Sequence, residues 1–261
     1  MKKSKTILFR KSLTPKEEID AAIKAGFDVS FSRVGILDKT VIGRYACLPF
    51  YQELYEDLKI QNSYLLNSTL EHQYIANFDY YFDLENLTPR TYFSTNIPEG
   101  QYIVKGKTNS KKSKWNSAMF AENKEKALKI YEDLSKDSLI GDQGIIFREF
   151  VPLKTLEIGI NEQPFANEWR FFFLKEKIVD FGFYWSQSSQ IPDKNSLLQE
   201  AIDFAQKCAN ILSKNTTFFV IDIAETVHGE WILIEVNDGQ QSGLSEIDPF
   251  QFYQNLYKIS F

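Results

Sequence analysis

Most of the second half of the chain is built from short apolar blocks, each ending in a polar cluster. QYIVKGK from Gln101, GIIFREFV from Gly144, NEWRFFFL from Asn167, KIVDFGFYW from Lys177, FFVIDIAET from Phe218 and EWILIEVN from Glu230 predict strands, being rich in β-branched and aromatic side chains. Helical spacing appears twice among them, roughly over Lys124 to Ser135 and Ser196 to Leu212. The first third reads differently. Thr6 to Phe9 predicts a short strand, and Thr14, Pro15 and the acids after them open a helix that should stop at Gly26, since glycine ends helices well. A strand at Phe27 to Phe31, a helix over Leu48 to Leu58 and a strand-like stretch over Ile60 to Leu66 follow. Strand, helix, strand order indicates a small α/β unit. The turn signal NLTPRTY near Asn86 marks its end, so the expected units are 1–87, 88–150 and 151–261.

Composition narrows the function classes. With 43% hydrophobic and 15% aromatic residues over 261 positions, the chain can build a full core, which argues against disorder. A formal net charge of −5 lacks the basic excess of a phosphate-backbone binder, so nucleic acid is not the expected partner. Cys47 and Cys208 fit no metal or redox spacing, and both are expected as buried hydrophobes. The apolar run Ile7 to Phe9 is too short for a signal peptide and no stretch reaches membrane-span length, so a soluble cytoplasmic protein is expected. Only two histidines occur, His72 and His228. Any chemistry must therefore rest on carboxylates, amides, lysines and arginines.

WILIEVNDGQQSGL, from Trp231, begins as a buried strand and ends in polar residues. Side chains two apart share a strand face, which puts Glu235 with Asn237 and sets Ile232, Ile234 and Val236 opposite. The preceding strand carries one acid in its apolar middle, Asp222. A two-residue turn at His228 and Gly229 would pair Val227 with Glu230 and, counting outward, Asp222 with Glu235. Opposed carboxylates repel, so something positive belongs between them. Asp222, Glu235 and Asn237 form an all-oxygen set suited to Mg²⁺; the plainer reading is an exposed strand face where acids alternate with core residues.

Three further stretches bear on that choice. KGKTNSKKSKW, from Lys105, concentrates lysines in an otherwise acidic protein. Its hydroxyls and backbone N–H groups can cradle phosphate oxygens, although a solvated hairpin tip has the same composition. In GIIFREFVPL, Arg148 and Glu149 precede Pro152, which cannot donate to a central ladder, so the strand ends there and a linker begins. In NEWRFFF, Glu168 and Arg170 share one face and Trp169, Phe171 and Phe173 the other. Arg170 needs an anion: Glu168 or Asp180 structurally, or a phosphoryl group functionally.

The order IVKGK, FREFVPL, NEWRFFFLKEKIV, VIDIAE, LIEVNDG resembles an ATP-grasp domain over about Thr88 to Leu244. The segment around Arg170 and Glu235 is most similar to the ribosomal-protein glutamate ligases. RYACLPFYQEL, KGKTNSKKSKW and NDGQQSGL further resemble a phage and bacterial clade of that superfamily. The resemblance implies an α/β (α+β) fold of two lobes gripping ATP, preceded by a small N-terminal α/β domain. It implies ATP and Mg²⁺ as cofactors and a carboxylate–amine ligase working through an acyl-phosphate, on small-molecule or peptide substrates. Lys105 and Arg170 are then the expected catalytic residues. Lys105, Lys107, Thr108, Ser110, Lys112, Glu149, Val151 and Glu168 are expected to bind nucleotide, and Asp222, Glu235 and Asn237 the metal. A glycine-rich phosphate loop is missing after Lys105, so Thr108, Asn109 and Ser110 would replace it. A nucleotide sensor without ligation, or phosphoryl or nucleotidyl transfer, is the alternative. Arg44, Tyr45, Asn67, His72 and Tyr184 to Gln190 are acceptor-side candidates, with Tyr45 and Trp185 also expected as core and His72 as a surface or helix-start residue.

Overall fold

The computed structural model describes residues 4–47, 49–111, 114–138, 140–159 and 162–259. Three four-stranded sheets follow one another along the chain. The first is parallel, in the order β2-β1-β3-β4, from β1 (Lys5–Phe9), β2 (Asp28–Ser30), β3 (Thr40–Arg44) and β4 (Tyr64–Leu65). Helices α1 (Lys16–Lys24) and α2 (Tyr51–Ile60) are its crossovers. Gly26, at φ +100°, ends α1 as its position in the sequence suggests. The strand expected from Ile60 shrinks to two residues because α2 runs through Ile60 and the chain turns at Asn62, φ +55°. Helix α3 (Thr69–Ala76) starts from a capping box of Ser68 and Glu71, and α4 (Tyr80–Leu84) follows. Ile75, Phe78, Tyr80 and Leu84 pack into the core of the last sheet, so residues 69–84 support the C-terminal lobe.

The second sheet is antiparallel, β5-β8-β6-β7, built from β5 (Thr91–Tyr92), β6 (Tyr102–Gly106), β7 (Phe120–Ala121) and β8 (Ile145–Glu149). Helix α5 (Trp115–Ala118) leads into β7, and α6 (Lys124–Ser135) and α7 (Ile140–Gln143) lie between β7 and β8. Val104, Ile130 and Phe147 centre the core of this lobe.

A hairpin of β9 (Thr155–Ile158) and β10 (Pro164–Ala166) leads to the third sheet, β12-β11-β13-β14 and antiparallel. Its strands are β11 (Glu168–Leu174), β12 (Lys177–Phe183), β13 (Phe218–Glu225) and β14 (Trp231–Asp238), with α8 (Gln199–Leu212) and α9 (Pro249–Lys258). Both faces of this sheet are covered. Trp169, Phe171, Phe173 and Ile221 share a core with Ala205 and Leu212 of α8, while Phe172, Leu174 and Val220 share one with Ile7, Phe9, Ala22 and Phe252. Burial on two sides is why these strands read as nearly continuous apolar runs. It also joins the N-terminal sheet to the C-terminal lobe through one core.

Candidate active site

The opposed carboxylates exist, and they arise by a different route from the one the turn predicts. Asp222 is directly opposite Glu235 in the β13–β14 register. Thr226 N donates to Glu230 O at 2.8 Å, so the connection is the three residues Val227, His228 and Gly229, with Gly229 at φ +83°. That loop moves the register by one and sets Ile223 against Leu233; an irregularity between Asp222 and Ile223 moves it back. Ile234 is the extra residue of this bulge. The expected grouping of Ile232, Ile234 and Val236 therefore fails: Leu233 and Val236 enter the core, whereas Ile234 lines the same cleft as Glu235.

Each acid has a cation. Arg170 is opposite Asp222 in the β11–β13 register and grips it with a fork, Nε to Oδ1 and Nη2 to Oδ2, both 2.8 Å. The Asp222 side chain is completely buried among its neighbours, and neither Glu168 nor Asp180 is the partner the arginine takes in this fork. Asp180 instead pairs with Lys194. Burial opposes the charge on Arg170, but the Asp222 charge and hydrogen bonds together with Tyr184 and Glu235 outweigh it and hold the guanidinium above its ordinary pKa. Arg170 Nη1 also donates to Gly243 O at 2.9 Å, and the guanidinium lies 4.7 Å from the Tyr184 ring. Glu235 pairs with the buried Lys105 from the other lobe. Asn237 Nδ2 reaches Asp222 Oδ2 at 3.4 Å.

Two hollows meet at Glu235, and a third opens beyond the second. An apolar cleft of about 420 Å³ between the second and third sheets is lined by Lys105, Glu149, Val151, Glu168, Ile234 and Glu235, among others. A polar hollow of about 390 Å³ contains Thr108, Asn109, Ser110, Arg170, Glu235 and Asn237 on its walls. A third, of about 520 Å³, opens beside the N-terminal unit at Glu17, Glu18, Arg44 and Tyr45 and shares Gln241, Ser242 and Gly243 with the second. Thr108, Asn109 and Ser110 thus share a wall with Arg170 and Glu235. Lys107 borders neither of the first two hollows and packs along Gly144, contrary to expectation. Lys111 pairs with Asp137 at 2.6 Å, and Lys112 lies outside the described residues. Tyr92 Oη donates to Glu149 Oε1 at 2.7 Å, fixing the carboxylate at the mouth of the cleft.

The metal set is divided. Glu235 and Asn237 border the polar hollow, whereas Asp222 sits behind them with both oxygens engaged by Arg170. Two carboxylates and an amide oxygen are hard donors of the kind that suit Mg²⁺, Ca²⁺ or Mn²⁺. Among the described residues no group of three or more His, Cys, Asp or Glu is disposed to hold a metal.

Behind the loop after β14, a buried network does what the sequence did not foretell. Asp238 Oδ1 accepts from Asn67 Nδ2 and Gln240 N at 2.9 Å each, and its Oδ2 lies 2.9 Å from His72 Nδ1. His72, near the start of α3, stacks on Tyr51 at 3.8 Å and is buried, so of the two expected readings the helix-start one holds and the surface one does not. Asn67 also donates to Phe218 O at 2.7 Å and is fully buried, which takes it out of the acceptor candidates. Arg44 Nη1 donates to Gly239 O at 2.6 Å and its Nη2 to Glu18 at 2.9 Å. Cys47 is half-exposed, its N–H donating to Gln241 Oε1 at 3.1 Å, while Cys208 is buried as expected. Trp185 is buried yet lines the apolar cleft. Arg148, read as a strand-end charge, is buried under that cleft and donates to Thr88 Oγ1 at 2.6 Å and to Ile234 O; burial lowers its pKa from the ordinary value.

Comparison with known proteins identifies the fold and the family. No curated protein sequence matches the chain. Among solved structures, the D-cycloserine synthetase DcsG superposes with a TM-score of 0.59 at 11% identity, covering 98% of this chain and 99% of that one. A RimK domain ATP-grasp protein from Sphaerobacter thermophilus gives 0.60 at 12%, covering 97% and 98%. The macrocyclase MdnC from Microcystis aeruginosa, bound with the precursor peptide MdnA, gives 0.56 at 15%, covering 97% and 98%. At such identities the likeness establishes the ATP-grasp fold. No helix among the described residues is long and apolar enough to cross a membrane. Residues 94–256, which carry β6 to β14 and with them both ion pairs of the site, match the family model described as ATP-grasp domain, R2K clade family 3, and the chain belongs to that family.

Proposed function

We propose that the protein is an ATP-dependent carboxylate–amine ligase that forms an amide or peptide bond through an acyl-phosphate and releases ADP and phosphate. One observation carries this reading: Lys105–Glu235 and Arg170–Asp222 stand side by side where an apolar, base-sized cleft meets a polar hollow. The cleft suits a flat heterocycle, with Glu149, the Val151 backbone and Glu168 at its edge. The hollow suits phosphates, with Thr108, Asn109 and Ser110 as hydrogen-bond donors.

Before nucleotide enters, the two cations neutralise the two acids. Incoming phosphates compete for Lys105 and for one arm of the Arg170 fork, which frees Glu235 and one oxygen of Asp222 while the other arm stays in place. Glu235, Asn237 and Asp222 would then hold Mg²⁺, which when bound neutralises phosphoryl oxygens. Lys105 orients the phosphates. Arg170, held rigid by Asp222 and the Tyr184 ring, stabilises the transferring phosphoryl group. A substrate carboxylate oxygen attacks the γ-phosphorus and the bond to the ADP oxygen breaks. An amine nitrogen next attacks the acyl carbon, loses its proton and expels phosphate. Positioning and electrostatics suffice, and no nucleophilic histidine or cysteine is required.

The cavity at Glu17, Glu18, Arg44 and Tyr45 continues from the phosphate end and is the proposed acceptor side. Solved relatives in fold include a synthetase of the small molecule D-cycloserine and a macrocyclase with a bound precursor peptide, so small-molecule and peptide substrates both belong in the search. Phosphorus NMR of the protein with Mg-ATP and cell extract tests the reading. Extract-dependent ADP and phosphate, absent with Glu235→Ala, supports ligation. AMP with pyrophosphate, or a phosphorylated acceptor, identifies a transferase, and intact ATP in every sample favours a sensor.

A further inference from the structure

The hollow beside the N-terminal unit is walled by an acid whose two oxygens are used unequally. Glu18 Oε1 takes three donors: Arg44 Nη2 at 2.9 Å, Arg44 Nε at 3.2 Å and the Tyr253 hydroxyl at 2.7 Å. No donor among the described residues reaches Oε2. A carboxylate accepts at both oxygens, and this one, its side chain 13% exposed, keeps one of them for the hollow it lines. Arg44 is the one cation on that wall among the described residues, and it is committed. Its side chain is 3% exposed, and all three nitrogens donate within the protein, Nη1 to Gly239 O at 2.6 Å. Glu17 adds an exposed acid, while Leu13, Leu244 and Ile247 add apolar surface. Such a lining complements an alkyl chain that ends in a cation and repels an anion.

We propose that this hollow takes an aliphatic diamine as the acceptor of the ligation, one nitrogen held as an ammonium on Glu18 Oε2. The inference rests on the ligase reading above and names its amine. An ammonium beside a carboxylate keeps its proton, because the opposite charge favours the charged form. It then has no lone pair for attack, so the nitrogen at Glu18 anchors the molecule and a second nitrogen must react. The wall leads from one to the other. Arg44, which holds Glu18, donates to Gly239 O, and Arg170, at the phosphate end, donates to Gly243 O in the same loop. Gln241, Ser242 and Gly243 border both hollows. The second nitrogen arrives as the free base and bonds to the acyl carbon; the bond from that carbon to the phosphate oxygen breaks, phosphate leaves with the electron pair, and the extra proton on nitrogen passes to water. An α-amino acid fits less well, since its carboxylate would face Glu17 and Glu18 with no uncommitted cation on the wall.

Four probes with the same four-carbon chain and different charge test it: 1,4-diaminobutane, 4-aminobutanoate, butane-1,4-diol and succinate, each titrated into the full chain and followed by its own NMR signals, with Mg-ATP titrated alongside. The diamine should bind on the order of tenfold more tightly than the diol or 4-aminobutanoate, and succinate should not bind. Glu18→Gln keeps an oxygen for Arg44 and Tyr253 and puts an N–H donor in place of Oε2. That variant should lose on the order of tenfold in affinity for the diamine and bind Mg-ATP as wild type does. The wild-type ranking decides without any variant: a diamine that binds no better than the diol, or a preference for 4-aminobutanoate or succinate, overturns the proposal. Undiminished diamine binding by a folded Glu18→Gln also overturns it, by placing the amine elsewhere on an acidic protein. If Mg-ATP does not bind, the ligase reading falls and the acceptor role with it; if Mg-ATP binds and the diamine does not, only this proposal falls.

Discussion

Arg170 and Asp222 face each other on adjacent strands and share two parallel hydrogen bonds of 2.8 Å, while the adjacent Glu235 pairs with a lysine from the other lobe. The two pairs differ in where they stand. Asp222 is sealed inside the sheet, but Glu235 borders both the apolar cleft and the polar hollow.

That difference predicts a contrast in stability. Asp222→Ala strands a buried guanidinium and should cost about 3–5 kcal/mol. Glu235→Ala leaves Lys105 on the wall of the open cleft, where water entering the space of the lost carboxylate can solvate it, so its cost should be clearly smaller, about 1 kcal/mol. Urea unfolding of the two variants measures both. Equal losses would mean that Glu235 is as structural as Asp222.

Arg170→Lys keeps the positive charge and loses the fork. An ammonium cannot span both oxygens of Asp222 while also reaching Gly243 O, so the group is no longer held in one place. With a proven substrate, kcat should fall about 100-fold, and KM for ATP should change by only about threefold. Steady-state kinetics decide it. A rise in KM with kcat unchanged would make Arg170 a ground-state binding residue.

The strands of the third sheet and the acids on it were legible because their local pattern and tertiary burial agree. Period two placed Glu235 with Asn237, and the Asp222–Glu235 pairing needed only a hairpin count, in which the loop and the bulge offset each other. The partner of Arg170 was not legible. β11 and β13 are not consecutive in the chain, and no local signal sets a register between them. His72 does stand near a helix start, but its burial was not legible for the same reason, since Asp238 is 166 residues away. The hairpin of β9 and β10 was missed because its strands are only four and three residues long. Helix α9 did carry a start signal, Asp248 capping a helix with Pro249 in its first turn, that periodicity alone overlooks.

Gly239 gives a prediction about the loop that follows β14. A Cβ there would lie 2.8 Å from the ring of Phe218, which is fully buried and cannot retreat. Gly239→Ala must shift the backbone, and overpacking of this kind costs about 1–3 kcal/mol. The Gly239 carbonyl accepts from Arg44 at 2.6 Å, so the shift also disturbs the wall shared by the two units. A lowered Tm by differential scanning calorimetry is the expected outcome. An unchanged Tm would show that the loop yields freely and is not braced by the N-terminal sheet.

Cys47 tests the electrostatics of the buried network. Its thiol is pushed up to about 12, first by burial and then by the Asp238 carboxylate, and the thiolate is the reactive form. Raising the pKa removes thiolate at neutral pH, so alkylation at pH 8 should be slow although the residue is half-exposed. Below its pKa the rate should climb about tenfold per pH unit, and it should still be climbing at about pH 10, where an ordinary cysteine has levelled off. Asp238→Asn removes the charge that resists ionisation and should raise the rate at pH 8. Mass spectrometry of iodoacetamide-treated protein across this range reads the profile at Cys47, with the buried Cys208 as an internal control for unfolding. A plateau near pH 9 in the folded wild type would mean that neither burial nor Asp238 acts on this thiol.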